Sequence, residues 1–96
     1  MKPSTHRTLN HERLVSTGTG DVKNATMPQN TSAIELAVET NNARVTFDGS
    51  DPSASNAPSL VYPAGQVPVF RPVGPGVTIR FVSTTGNSVL QLLYYQ

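Results

Sequence analysis

From Ser32 onward, hydrophobic and polar residues alternate with a period of two. Ile34, Leu36 and Val38 are interleaved with Glu35, Ala37 and Glu39, the pattern of a strand with one wet face, because successive side chains leave a strand on opposite sides. After a turn at Asn41 and Asn42, the run Arg44, Val45, Thr46, Phe47, Asp48 alternates again with Val45 and Phe47 inward. The two runs together predict an antiparallel hairpin. The stretch 48–58 is polar, with Gly49, Pro52 and Pro58 supplying backbone turns, and is expected on the surface. Leu60, Val61 and Tyr62 form a short strand stopped by Pro63, Ala64 and Gly65. Val67, Val69 and Arg71 then face one way between Pro68 and Pro72, and prolines there predict an edge strand, since proline donates nothing to a ladder. The clearest strand has Val77, Ile79 and Phe81 on one face. A turn at Thr84, Thr85, Gly86 and Asn87 leads into residues 89–95.

That last run is apolar on both faces, with Leu90, Leu92 and Tyr94 on one side and Val89, Leu93 and Tyr95 on the other. Both sides therefore need cover. One arrangement is a central strand covered on its second face by another sheet edge or by the N-terminal segment. The other is a subunit interface, where tyrosines supply apolar area with a polar tip. Before Ser32 no period holds: Leu9, Leu14, Val15, Val22 and Met27 are scattered among Thr, Asn, Ser, Gly and charged residues. Residues 1–31 are accordingly expected to be an extended arm without order of its own, because it buries too little to offset its conformational entropy. Leu14 and Val15 are its best anchor, in a short strand ending at the Thr17, Gly18, Thr19, Gly20 turn. The candidate interface is Leu14, Val15, Leu90, Leu92, Tyr94 and Tyr95. Five or six short strands with Gly, Pro and Asn turns predict an all-β fold: a small antiparallel β-sandwich, jelly-roll-like, over residues 32–96, preceded by the arm.

Composition adds constraints on stability and partners. A domain of about 65 residues buries a modest share of its surface and wants a supplement, for which oligomerisation is the expected source. The chain has no cysteine, so disulfides are excluded, and no Cys/His grouping has zinc spacing. The net charge is +1, too small to argue for nucleic acid, and Arg44, Arg71 and Arg80 are dispersed. The charge is divided: Lys2, Arg7, Arg13 and Lys23 against Glu12 and Asp21 in the arm, then three arginines against Glu35, Glu39, Asp48 and Asp51 in the body. No apolar leader opens the chain and no stretch approaches a bilayer span, so neither export nor a membrane partner is expected.

Little in the sequence supports catalysis. The only histidines are His6 and His11, both in the arm, where nothing orients them beside a nucleophile, and with Glu12 they lack a closing metal ligand. Glu35 and Glu39 share a strand face about 13 Å apart, too far for a catalytic carboxylate pair. Asp48, Gly49, Ser50 and Asp51 depart from a calcium loop in length and lack its final glutamate. The Thr17–Gly20 tetrapeptide is not followed by the Gly-Lys-Ser/Thr of a phosphate loop. No catalytic, cofactor-binding or metal-ligating residue is proposed.

Three segments carry a family resemblance: Ala43 through Ser55, with its Val45-Thr46-Phe47-Asp48-Gly49 strand end and Ser/Ala/Pro loop; Tyr62-Pro63-Ala64-Gly65; and Ile79 through Tyr95. Together they resemble the small β-sandwich virion proteins of tailed bacteriophages, over about residues 43–96. The resemblance implies a non-enzymatic structural protein, either a capsid decoration (cement) protein or a tail, neck or fibre component. The long arm before the matched region favours decoration. In that role the resemblance implies a homo-oligomer, a trimer by preference, with the major capsid protein as partner. It also implies residence on the virion capsid surface after assembly in the host cytoplasm. A carbohydrate-binding module is the alternative from another class, with Tyr62, Tyr94 and Tyr95 as its available aromatics.

Overall fold

The computed structural model describes residues 8–53, 59–74 and 77–96. They form eight strands: β1 (Thr8–Ser16), β2 (Lys23–Asn24), β3 (Ala33–Glu39), β4 (Ala43–Thr46), β5 (Leu60–Tyr62), β6 (Val69–Pro72), β7 (Arg80–Ser83) and β8 (Ser88–Tyr95). Two four-stranded sheets result, in the orders β1-β8-β3-β6 and β2-β7-β4-β5, with every ladder antiparallel. The pairings β1·β8, β2·β7, β3·β6 and β4·β5 describe one long hairpin, folded back between β4 and β5 and then rolled up. That is the jelly-roll arrangement, and the expected small all-β sandwich is what the chain forms.

Two expectations need correction. β3 and β4 do not pair with each other; they lie in opposite sheets. Between them Thr40 takes a positive φ of 79°, a conformation unusual for a β-branched residue, and the chain crosses from one layer to the other. Alternation is blind to this choice. Ile34, Leu36 and Val38 face inward whether their neighbour is beside them or across the core.

The second correction concerns the arm. From Thr8 onward it is part of the sandwich: β1 pairs along its length with β8, and β2 pairs with β7. Residues opposite one another in an antiparallel ladder share a face, so Glu12, Leu14 and Ser16 point inward beside Leu92, Leu90 and Ser88. Two of those three are polar, which is why no hydrophobic period marks the strand. Residues 1–7 lie outside the described residues.

The core joins Ile34, Leu36 and Val38 of β3 and Leu90, Leu92 and Tyr94 of β8 to Ala43, Val45, Ile79 and Phe81 from the second sheet and its approach. Each large aliphatic or aromatic side chain withdrawn from water contributes roughly 1.5–3 kcal/mol. Arg71, on the inward phase of β6, lays its guanidinium 4.3 Å from the centre of the Phe47 ring and closes one side of the core, a cation–π contact. The opposite side is closed by polar groups. Glu12 Oε1 accepts from the Tyr94 hydroxyl at 2.5 Å and from the Thr26 amide at 3.0 Å. Burial, and then the Glu12 contact, push the Tyr94 phenol well above its ordinary pKa. The buried Ser16 hydroxyl donates to the Asp21 carbonyl at 2.7 Å and accepts from the Ser83 amide at 3.0 Å, tying the end of β1 to the second sheet.

The turn after β1 is held by Asp21, whose carboxylate accepts from the Thr17 amide and hydroxyl at 2.9 and 3.0 Å. Those bonds, the amide first, lower its pKa. Asp48 and Asp51 are lowered by bonds from Ser50 and Ser53. A depressed folded-state pKa means stability that is present above the unfolded value and lost as pH falls through the folded value. Stability is therefore expected to fall as the solution is acidified below the ordinary aspartate range. The Asp21→Asn variant should show a smaller acid loss in pH-dependent thermal melts, and an unchanged acid slope would remove Asp21 as a cause.

Candidate binding face

The two sheets differ in what lies on their outer faces. Over the second sheet, the loop that follows β4 folds back. Ser50 accepts at its carbonyl from the Thr46 hydroxyl at 2.7 Å, and the Gly49 carbonyl accepts from Arg80 Nη1 at 3.0 Å. Pro52 and Val82 are fully buried there and line one recess. Residues 48–53, the described part of the segment expected to be a surface connection, thus fold over part of a sheet, and residues 54–58 of that expectation lie outside the described residues.

Over the first sheet no described segment is hydrogen-bonded in this way, and its outer face is built from β1, β8, β3 and β6 side chains. The registers set out its rows: Val15, Val89, Glu39; then Arg13, Gln91, Ala37; then His11, Leu93, Glu35, Phe70; then Tyr95, Ala33, Pro72. The small Ala37 sits among larger side chains, and a recess of about 120 Å³ opens there, lined by His11, Glu35, Leu36, Pro68, Gln91 and Leu93 as well as Ala37. Its rim is fixed by two bonds: His11 Nε2 to Gln91 Oε1 at 2.9 Å, and the Tyr95 hydroxyl donating to Glu35 Oε1 at 2.8 Å. The bond to Glu35, more than burial, raises the Tyr95 phenol pKa. Tyr95 also leans on Phe70 with ring centres 5.9 Å apart, within the range for favourable aromatic pairs.

Apolar exposure is shared between the two sheets: Val67 and Phe70 stand beside this face, and Leu60 and Val61 on β5 at the edge of the second sheet. The large hydrophobics most open to solvent are Leu60, Val61, Val67 and Phe70, all on β5, β6 and the connection between them. Charge on the face is sorted by strand. β1 presents His11 and Arg13, β8 is neutral, and β3 presents Glu35 and Glu39. Among the described residues the single ion pair is Lys23–Asp21, at 3.3 Å, so none forms within the face.

The sheet edges are guarded against strand addition. β6 lies at an edge, as its prolines predict. The Val73 amide bonds toward β3 at the Ser32 carbonyl, so positions 69, 71 and 73 share that phase, and Pro68 and Pro72 fall on the opposite, outward one, where they remove donors. β5 and β2 are three and two residues long. β1 carries a register shift between Thr8 and Asn10 and the inward Glu12. Short edges, prolines, bulges and inward charges are all devices that discourage edge-to-edge pairing.

The six residues expected to form an interface divide cleanly. Leu90, Leu92 and Tyr94 are fully buried inside the chain, so they hold the sandwich together and are corrected from interface to core. Leu14 is half-buried and packs on that core. Only Val15 and Tyr95 lie on the outer face. The residues that make the face what it is, Ala37, Leu93, Phe70, Arg13 and Glu39, were not singled out as a site; their signal was the apolar second side of β8 and an apolar edge strand. Among the described residues no three His, Asp or Glu side chains gather as metal ligands, and no helix is long and apolar enough to cross a membrane. Comparison with protein-family models, with curated proteins and with solved structures found no match.

Proposed function

We propose that this protein is a non-enzymatic structural subunit of a phage particle, a capsid decoration (cement) protein that self-associates and docks on the major capsid protein at the virion surface. The observation that carries the reading is the contrast between the two sheets: the chain's own loop folds over part of one outer face, while the other presents the Ala37 recess among charged and apolar side chains beside exposed Val67 and Phe70. Two further points support it. The rolled-hairpin topology is one that viral capsid domains use, though lectins and cupins use it too, and the resemblance over residues 43–96 is to virion proteins.

The arm no longer distinguishes decoration from a tail, neck or fibre role, because residues from Thr8 onward belong to the sandwich. Copy number does distinguish them. Quantitative mass spectrometry of a purified particle is expected to give hundreds of copies, as a lattice-covering protein requires; about a dozen would assign the protein to the tail or neck, following the low rotational symmetry of those parts. Absence from the particle would sink the virion reading. A sugar-binding role loses one of its aromatics, since Tyr94 is in the core.

A further inference from the structure

The outer face of the first sheet is self-complementary, and we infer that a second copy of this chain packs on it face to face, about a two-fold axis running along β8. This deepens the self-association in the proposed function and rests on it for biological meaning. The argument begins from charge. On this face, positive or titratable side chains stand on β1 (Arg13, His11) and acidic ones on β3 (Glu35, Glu39), with neutral β8 between them. Within one chain the two charged strands are two strand spacings apart, roughly 9.6 Å, beyond ion-pair reach.

A two-fold axis along β8, lying between the two faces, exchanges left and right while keeping the position along the strand. It therefore sets β1 of one copy over β3 of the other. Arg13 and Ala37 occupy the same row, each opposite Gln91, so Arg13 of each copy comes to the Ala37 recess of the other, between Glu35 and Glu39. His11, in the row of Glu35, meets Glu35. The alternative axis, across the strands, sets β3 over β3 and brings glutamate against glutamate, which opposes association. Charge thus selects one of the two face-to-face pairings.

The neutral strand supplies the apolar centre. Gln91, Leu93 and Tyr95 of one copy lie over the same residues of the other, as an isologous contact requires, with Leu93 and Tyr95 its apolar part and Val89 already buried within each chain, and Phe70 flanks the partner's β1. Sheets pack about 10 Å apart, a gap that arginine and glutamate side chains reach across. About an axis along β8 the three strands β1, β8 and β3 overlap their counterparts, a face of roughly 330 Å² in projection for about seven residues each. That is below the roughly 800 Å² per partner of a standard interface, the size of a weak, reversible pairing. The guarded edges leave this route open while discouraging strand-to-strand growth.

Sedimentation equilibrium of the full chain over a concentration series tests the pairing. The expected result is a monomer–dimer equilibrium that weakens with salt, as screened charge pairs do. Arg13→Glu and Glu39→Arg, both at exposed positions, should each weaken the dimer by about tenfold or more. The double variant R13E/E39R restores opposite charges across the axis and should recover most of the affinity. Far-UV circular dichroism of each variant, unchanged from the parent, assigns the losses to association. A parent that stays monomeric, a trimeric mass, or a double variant no tighter than the single ones would overturn the pairing. Copy number in the particle is independent of these results, so the virion role and the pairing fail separately.

Discussion

A chain beginning at Ser32 is expected not to fold. Removing residues 2–31 takes away β1 and β2, and with β1 the whole ladder that covers one side of β8. Leu9, Leu14, Ala25 and Met27 pack against the core and leave with it, each of the larger ones a loss of roughly 1.5–3 kcal/mol at full burial. The Tyr94 hydroxyl loses Glu12, and an unsatisfied buried polar group costs about 1–3 kcal/mol. The Ser83 amide loses Ser16. Small domains hold only about 5–15 kcal/mol in all, so these losses together exceed what the remaining strands retain. The truncated chain should show no cooperative thermal transition and no dispersed amide spectrum. A cooperative melt from residues 32–96 alone would return the N-terminal segment to the status of an arm. The point version is milder: Glu12→Ala should lower stability by about 1–3 kcal/mol, measurable by urea unfolding.

The strands that could be recognised in the sequence are those whose inward residues are all apolar. Ile34, Leu36 and Val38 are fully or almost fully buried, as their alternation predicts, and so are Ile79 and Phe81. Pro68 and Pro72 marked β6 as an edge for a reason internal to the strand, the missing donors. β1 was illegible because Glu12 and Ser16 hold inward positions through hydrogen bonds instead of hydrophobicity. That satisfaction depends on Tyr94 and Ser83, residues far away in the chain. Layer assignment was illegible for a different reason, since inward alternation is the same within a sheet and across a core.

The candidate face was half legible. The apolar second side of β8 indicated that something must cover Leu93 and Tyr95; in the chain both are half-buried, Tyr95 against Glu35 and Phe70. The sequence pattern drew its candidates from both sides of β8, Leu90, Leu92 and Tyr94 from one and Tyr95 from the other, because both sides are apolar and nothing local says which meets the second sheet. The neighbouring strands decide it: the core side is the one that Leu14 and Ile34, Leu36 and Val38 share. The sorting of charge between β1 and β3 was likewise invisible until β8 was known to lie between them. Charges 20 or more residues apart in the chain become one pattern only through strand order.

Adjacent residues on β8 should therefore respond to the same substitution in opposite ways. Leu92→Asp is expected to unfold the protein. Leu92 is fully buried beside Leu36 on β3 and Glu12 on β1. The variant loses the leucine's packing, about 2–5 kcal/mol for truncation alone, and places a carboxyl group in an apolar site beside the inward Glu12. An unpaired charge there adds several kcal/mol or forces protonation. The total meets or exceeds the whole stability of a small domain. Leu93→Asp, one residue on, faces out between His11 and Glu35, and should stay folded within about 1 kcal/mol of the parent, as surface changes do. What it loses is self-association, because Leu93 lies at the apolar centre of the two-fold contact and each copy would bring a carboxylate there. Thermal melts with sedimentation on the same samples separate the two. A folded Leu92→Asp protein with altered oligomeric mass would reverse the assignment of the faces, and an unfolded Leu93→Asp protein would show that the outer face is part of the core.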